Sequence, residues 1–189
     1  EKPAIVITVG DPAGIGPEIV SKAIANAEIF KICRPIVIAE LGILQREIER
    51  NHLGIKIEAV SEITDQMKFL PGTLALIDIG IPDRLPEYGK VNRDCGRAAF
   101  EYLRKAVELA EEGRISAITT APVNKLSIKA AGIPYAGHTE ILGALTETID
   151  PLTMFEIAGE MRVFFLSRHL SLIDACRMVK KDRVYNYIL

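Results

Sequence analysis

A cluster of polar side chains between residues 119 and 145 is the part of the sequence best suited to chemistry. It contains hydroxyl, amide, ammonium and imidazole groups, on Thr119, Thr120, Asn124, Lys125, His138 and Thr139. These residues follow an apolar stretch, Ile115–Ile118, whose composition predicts a β-strand. Polar groups just past the carboxyl end of a strand are typical of a ligand crevice in α/β proteins.

The helices predicted within this cluster favour an anionic ligand. One helical turn is predicted to start after Ala121, and another helix after His138. The first turn of a helix leaves backbone N–H groups free, and these suit phosphate or carboxylate. Lys125 in a first turn opposes the helix dipole, which indicates an anion nearby. The sequence therefore predicts a site for a small, polar, anionic molecule.

The composition excludes several classes of function. The chain has 189 residues, 49% hydrophobic and 25% charged, so it is predicted to fold around a sizeable core. Its net charge is -2 and its basic residues are scattered, which argues against a nucleic-acid partner. Three distant cysteines without a CxxC pair favour a reducing, cytoplasmic location. The sequence shows no signal peptide or membrane span, so no membrane partner is expected.

The order of apolar strands and amphipathic helices predicts the fold class. The first strand, Ala4–Val9, leads into a glycine loop, Gly10–Glu18, and then into a helix. This loop matches neither the dinucleotide fingerprint nor a P-loop, so the pattern alone indicates a tight turn that packs a helix on its strand. Further strands are predicted at 34–39, 55–60 and 73–79, and helices at 41–53 and 96–112. The expected fold is α/β, with a largely parallel sheet and flanking helices.

Three smaller features complete this prediction. Two strands, 152–158 and 161–166, are predicted to form a hairpin that turns at Gly159-Glu160. Ser171, with Asp174 three residues later, predicts the start of a helix that reaches Val184. His52 is placed in the last turn of the helix 41–53, where an imidazole interacts favourably with the helix dipole.

Four segments in this order resemble one enzyme family. They are GDPAGIGPE (10–18), TAPVNK (120–125), AGIPYAGHTE (131–140) and His169 after a strand. Together they resemble 4-hydroxythreonine-4-phosphate dehydrogenase of vitamin B6 synthesis and its relatives that act on phosphorylated or diol acids. The likeness covers nearly the whole chain. Each segment alone is a modest signal, and their combination is specific.

The resemblance implies a fold, a reaction and cofactors. The family has a two-domain α/β architecture related to isocitrate and isopropylmalate dehydrogenases, and it forms a homodimer. The implied reaction is NAD-dependent oxidation of a secondary alcohol in 4-phosphooxy-threonine, a small phosphorylated hydroxy amino acid, followed by loss of carbon dioxide. Phosphoerythronate or a cyclic dihydrodiol acid would suit the same site. A divalent metal assists, such as zinc, cobalt or nickel on histidines, or magnesium on oxygen ligands.

The resemblance also assigns expected roles to individual residues. His138 and Thr139 match the family's substrate-binding pair. His169 matches the first of three histidine metal ligands. Asn124 and Lys125 match a polar motif near the substrate, and Asp11 lies in the family signature without an assigned task.

The family's remaining site residues lie later in its sequence. They include two further metal histidines and much of the NAD site, whereas this chain has three histidines in all and reaches Leu189. Residues 1–189 are therefore expected to be the N-terminal portion of a two-domain dehydrogenase that lacks its C-terminal part, and to be inactive alone.

Simpler interpretations of the same residues remain open. His138 could only help to start a helix, His169 could be a buried histidine with satisfied hydrogen bonds, and Lys125 could be solvated. A non-catalytic α/β module that binds anions is the competing hypothesis from another class of function. Hydride transfer to NAD would distinguish the enzyme from the module.

Overall fold

The computed structural model describes residues 2–64, 67–80, 82–148, 154–157, 161–167 and 170–188. The chain divides into two compact units, residues 1–147 and 148–189. Within the described residues, no helix is both long and apolar enough to cross a membrane.

A five-stranded parallel sheet forms the centre of the first unit, which confirms the predicted α/β class. Its strands are β1 (Ala4–Thr8), β2 (Arg34–Ala39), β3 (Lys56–Ala59), β4 (Thr73–Asp78) and β5 (Ala117–Thr120). They lie in the order β3-β4-β2-β1-β5. The central strand β2 is covered on both faces, as its continuous apolar sequence requires.

Six helices flank this sheet. They are α1 (Gly16–Ala25), α2 (Ile29–Ile32), α3 (Leu41–Arg50), α4 (Arg93–Glu111), α5 (Lys125–Ala130) and α6 (His138–Leu145). Helix α4 begins earlier than predicted, because the Asn92 side chain accepts hydrogen bonds from the backbone N–H groups of Asp94 and Cys95. Helix α3 ends at Arg50, and His52 adopts a left-handed φ of 50° beyond it. The prediction that His52 lies in the last helical turn was therefore wrong.

A small apolar cluster fixes the two helices that carry the predicted site. Leu103 of α4, Ile128 of α5 and Ile141 of α6 pack together and are almost fully buried. Helix α5 lies close against α4 at Gly96, where an added Cβ would lie only 2.6 Å from the backbone nitrogen of Ile128. Only glycine allows this approach, so the position of α5 depends on the sequence of α4.

The second unit contains an antiparallel hairpin and two helices. Strands β6 (Met154–Ile157) and β7 (Met161–Phe164) pair as predicted, and the predicted turn lies outside the described residues. The Ser171 hydroxyl accepts a hydrogen bond from the Asp174 N–H at 3.2 Å, which confirms the predicted helix start. The single helix expected there is instead two, α7 (Leu172–Met178) and α8 (Lys181–Ile188).

Candidate functional site

Two loops meet at the carboxyl ends of β1 and β5, which are neighbours in the sheet. The chain leaves β1 toward β2 on one side, while β5 lies on the other side of β1. Such a divergence of connections is where open α/β sheets bind ligands. The loops touch directly, because the Asp11 N–H donates a hydrogen bond to the Pro122 carbonyl at 3.0 Å. The strand order therefore places a candidate ligand crevice between these two loops.

A polar cleft of about 360 Å³ opens at this point. Its lining residues come from three separate loops: Asp11, Ala13, Gly14, Ile15, Gly89, Lys90, Pro122, Val123, Asn124 and Lys125. A larger groove of about 500 Å³ is lined mainly by apolar side chains such as Ile5, Ile7 and Ile19. Thr119 and Thr120 of β5 also line this groove and not the cleft, so the structure separates them from the other predicted site residues. An anion needs charged or hydrogen-bonding partners. A third pocket, lined in part by Arg34 and Arg114, lies at the amino ends of β2 and β5, away from the edge of the sheet where α/β proteins bind ligands. The smaller cleft is therefore the candidate site.

Asp11 forms the floor of this cleft and is almost fully buried, with 3% of its surface exposed. Its Oδ1 accepts a hydrogen bond from the Ala13 N–H at 2.7 Å. Burial raises the pKa of its carboxyl, while hydrogen bonds from Ala13 and from the Ser127 hydroxyl act in the opposite direction. The Ser127 hydroxyl in turn accepts the Asn92 N–H at 3.2 Å. Asp11 thus connects the loop after β1 to α5 and to the start of α4.

The raised pKa of Asp11 predicts a pH-dependent effect of the Asp11→Asn substitution. The folded protein holds this proton more tightly than the unfolded chain, whose ordinary value is 3.8. The resulting stability is present below that value and is lost as pH rises through the folded pKa. Asparagine keeps the oxygen that accepts the Ala13 N–H and cannot ionise. We therefore expect the variant to gain stability relative to wild type as pH rises, and to match or exceed it near neutral pH.

Urea unfolding of wild type and Asp11→Asn, from below pH 3.8 to neutral pH, measures the effect. Asp11→Ala is the control, because it removes the acceptor as well as the charge and should destabilise at every pH. A constant deficit of Asp11→Asn at all pH values would contradict the expected burial cost.

Asn124 and Lys125 lie at the start of α5 and have different surroundings. The Asn124 side-chain oxygen accepts hydrogen bonds from the N–H groups of Leu126 at 3.0 Å and Ser127 at 3.3 Å, so it caps the helix. The exposed Lys125 extends toward α6, and its Cε lies 3.7 Å from the point that a Cβ on Gly137 would occupy. Asn124 thus shapes the cleft wall, and Lys125 joins the cleft to the start of α6.

His138 is the first residue of α6 and is partly buried. Its ring donates a hydrogen bond to the backbone of Ala121, the residue that follows β5, and this raises its pKa slightly. Burial is the larger effect and lowers the pKa below 6.5, so the neutral imidazole is favoured. Its Nε2 is buried and has no hydrogen-bond partner among the described residues. Such an atom calls for an explanation, and a bound ligand is one.

The structure places five of the six predicted site residues at this end of the sheet. Asp11, Asn124 and Lys125 line one cleft, and His138 is linked to it through Ala121, with the partly buried Thr139 next in α6. His169 lies outside the described residues, so its role as a metal ligand remains a prediction. The described part of the chain contains no group of three histidine, cysteine or acidic residues that could hold a metal.

Sequence reasoning missed two contributors to the cleft, Lys90 and Ser127. Residues 81–92 are rich in proline, glycine and charge, a composition that predicts a loop and nothing more specific. Its contact with the cleft depends on the Gly89 N–H, which donates a hydrogen bond to the Ala13 carbonyl at 2.8 Å. One sequence signal could have indicated that Lys90 lies near the site: the Tyr88-Gly89-Lys90 turn comes directly before Asn92, the cap of α4.

The fold and the cleft define an α/β protein with a candidate ligand crevice at the carboxyl ends of parallel strands. Residues 31–189 match the model of the family described as pyridoxal phosphate biosynthetic protein PdxA. The match covers most of the chain, which therefore belongs to this family. The family resemblance predicted from the four sequence segments is confirmed.

Individual relatives agree with this assignment. A protein of Symbiobacterium thermophilum, provisionally named D-threonate 4-phosphate dehydrogenase, is 47% identical over 188 residues, which is 99% of this chain and 56% of that protein. A crystal structure of 4-hydroxythreonine-4-phosphate dehydrogenase from Burkholderia phymatum matches with a TM-score of 0.90 and 39% identity, over 100% of this chain and 56% of the other. The crystal structure of the corresponding enzyme from Klebsiella pneumoniae matches with a TM-score of 0.90 and 32% identity, over 99% of this chain and 56% of the other. The chain thus spans about half the length of the relatives it matches.

Proposed function

We propose that the protein acts in the NAD-dependent oxidation of the secondary alcohol of a small phosphorylated hydroxy acid. The observation that carries this proposal is the polar cleft with two lysines in its lining, together with His138, whose Nε2 is buried and has no partner among the described residues. The His138 ring bonds to Ala121, which directly precedes Pro122 of the cleft lining. Family membership supports the reaction class, because the relatives are named as dehydrogenases of 4-phosphorylated four-carbon acids.

The proposed reaction is chemically balanced. The alcohol carbon loses a hydride, its oxygen loses a proton, and the carbinol becomes a ketone. When the ketone lies β to a carboxylate, the carbon–carbon bond to that carboxylate can break with release of carbon dioxide. NAD supplies the hydride acceptor when bound.

His138 and Lys125 have complementary tasks in this proposal. The neutral imidazole offers Nε2 to a hydroxyl of the substrate, and its bond to Ala121 fixes the orientation of the ring. Lys125 supplies a positive charge beside it for a carboxylate or phosphate oxygen. Thr139, in the first turn of the same helix, contacts the polar head of the substrate.

The metal is a separate part of the proposal. The described residues do not form a metal site by themselves, and His169 is the one matched ligand outside them. A divalent ion, zinc, cobalt or magnesium, is proposed on the family resemblance alone.

Two substrates fit the proposal, and they differ in the group on the carbon next to the carboxylate. D-Threonate 4-phosphate carries a hydroxyl there, and 4-phosphooxy-threonine of pyridoxal phosphate synthesis carries an amine. The Symbiobacterium relative named for threonate phosphate is 47% identical, against 39% for the Burkholderia enzyme named for the amino acid. This difference favours D-threonate 4-phosphate as the first substrate to test.

Formation of NADH by the protein expressed from the complete gene tests the function. We expect turnover of D-threonate 4-phosphate or 4-phosphooxy-threonine with added divalent metal, and none with the unphosphorylated acids. Binding of both compounds without NADH formation under any metal would support the non-catalytic module and overturn the enzyme.

The family resemblance also leads us to propose a homodimer. Exposed apolar side chains of the second unit, such as Leu172 at 81% and Ile188 at 78%, are consistent with a surface that another chain covers. A cytoplasmic location is proposed from the three unpaired cysteines.

A further inference from the structure

We infer that Lys90 and Lys125, which both line the polar cleft, form an anion subsite for a phosphate group. Lys90 belongs to the loop before α4, and Lys125 to the first turn of α5. Both line the cleft of about 360 Å³ above Asp11. This inference deepens the proposed function, on which it rests for the identity of the molecule that carries the phosphate.

The charges around the cleft favour an anion. The side-chain ammonium group of neither lysine has an ion pair or hydrogen bond within the part of the chain that the structure describes. The opposing charge is the carboxyl of Asp11, which is buried and bound to the Ala13 N–H and the Ser127 hydroxyl. The charged residues that line the cleft are thus two lysines and one carboxyl whose hydrogen bonds are made within the protein. The Glu140 carboxylate is not part of the lining, although its Oε2 lies 3.6 Å from the point that a Cβ on Gly137 would occupy, close to the side chain of Lys125. Such a cleft attracts negative charge.

The loop that carries Lys90 is held firmly on its N-terminal side. Two guanidinium groups lie over the Tyr88 ring: the Cζ of Arg46 is 4.0 Å from the ring centroid, and the Cζ of Arg50 is 4.7 Å from it. Its hydroxyl donates a hydrogen bond to Glu47, which is 1% exposed. Arg46 also donates to the Pro86 carbonyl at 2.7 Å. These contacts anchor the loop to α3, two residues before Lys90.

The backbone on both sides of Lys90 is fixed as well. The Gly89 N–H donates to the Ala13 carbonyl at 2.8 Å, and the Asn92 N–H donates to the Ser127 hydroxyl at 3.2 Å. The first bond ties the loop to the segment after β1, and the second ties it to α5. Lys90 is thus carried on a preformed backbone, which lowers the entropic cost of binding.

Phosphate is the ligand class that this arrangement fits best. A lysine ammonium binds phosphate as a compact point charge, and two of them in the lining of one cleft can contact separate oxygens. The phosphate could belong to the substrate or to the pyrophosphate of NAD, which share this chemistry. Kinetic measurements can distinguish these two sources.

Direct binding of inorganic pyrophosphate to the 189-residue chain tests the subsite. Calorimetry at low ionic strength would compare wild type with Lys90→Ala, Lys125→Ala and Lys90→Arg. Lys129→Ala is the matched control, because Lys129 is an exposed lysine of the same helix α5 that does not line the cleft. We expect each cleft alanine variant to weaken binding about tenfold or more, and Lys90→Arg and Lys129→Ala to stay close to wild type.

Two results would overturn the subsite. One is equal affinity in wild type and both cleft alanine variants, and the other is a loss in Lys129→Ala as large as theirs. Circular dichroism and the melting temperature of each variant show that it is folded before its affinity is compared.

Kinetics of the protein expressed from the complete gene identify the source of the phosphate. A raised KM for NAD in Lys90→Ala assigns the subsite to the cofactor, and a raised KM for D-threonate 4-phosphate assigns it to the substrate. Unchanged values of both would contradict the inference even if the enzyme is active. If no turnover occurs, the proposed function fails, and the pyrophosphate measurements still decide the subsite.

Discussion

Replacing His138 with alanine is expected to lower kcat/KM by about a hundredfold or more in the protein expressed from the complete gene. A hundredfold corresponds to roughly 2.7 kcal/mol of lost transition-state stabilisation. The reason is the Nε2 atom, which is buried, lacks a partner among the described residues and is held in place by the ring's bond to Ala121. The free energy of unfolding should change by about 1 kcal/mol or less, because the ring is only partly buried.

The pH dependence gives a second readout of the same role. Burial lowers the pKa of His138 below 6.5, so the neutral ring persists into mildly acidic solution. We expect the acid limb of the kcat/KM profile to begin below 6.5 in wild type and to disappear in His138→Ala. His52→Asn is a suitable control, because His52 is exposed and has a left-handed φ that asparagine tolerates. An unchanged kcat/KM in His138→Ala would refute the assignment.

The local parts of the site were predictable because they depend on neighbouring residues. Asn124 and Lys125 follow an apolar strand and begin a helix, and both signals lie within a few positions of each other. The strand itself is displaced, since β5 covers Ala117–Thr120 and includes two of the threonines expected beyond its end. An apolar stretch predicts that a strand is present more reliably than it predicts where the strand begins and ends.

The site residues that were not predicted depend on contacts between positions far apart in the sequence. Lys90 reaches the cleft because Tyr88 packs against α3 and Gly89 bonds to Ala13, and no short-range pattern encodes these pairings. Ser127 looked like an ordinary helix residue, yet its hydroxyl joins Asp11 to the Asn92 backbone. Tertiary packing therefore decides which charged residues of a loop enter the site.

The end of helix α3 could not be predicted from the sequence pattern either. Its apolar stripe continues to Leu53, which supports a helix through that residue, but the chain leaves the helix after Arg50. Asn51 closes the last turn, and its side chain donates a hydrogen bond to the Glu47 carbonyl at 2.9 Å. Histidine at a left-handed φ is uncommon, so the sequence favoured Gly54 as the helix stop.

Replacing Gly10 with alanine is expected to destabilise the protein by about 3 kcal/mol or more, through two effects at one position. The residue has a φ of +69°, which costs an alanine roughly 1–2 kcal/mol. An added Cβ would also lie 2.6 Å from the Ala121 carbonyl oxygen and closer still to that of Pro122. These atoms belong to the backbone after β5, so relief of the clash has to separate the two loops that form the cleft.

Gly113→Ala measures the backbone strain alone, so the difference between the two variants gives the steric part of the cost. Gly113 has the same φ of +69°, and nothing lies within 4 Å of its added Cβ. The control should therefore lose only about 1 kcal/mol, with the backbone strain partly offset by the lower entropy of the unfolded chain. Urea unfolding of the two variants measures the difference, and pyrophosphate binding should weaken in Gly10→Ala alone. Equal stabilities would mean that the loops after β1 and β5 do not need their close contact, and the cleft between them would lose its structural basis.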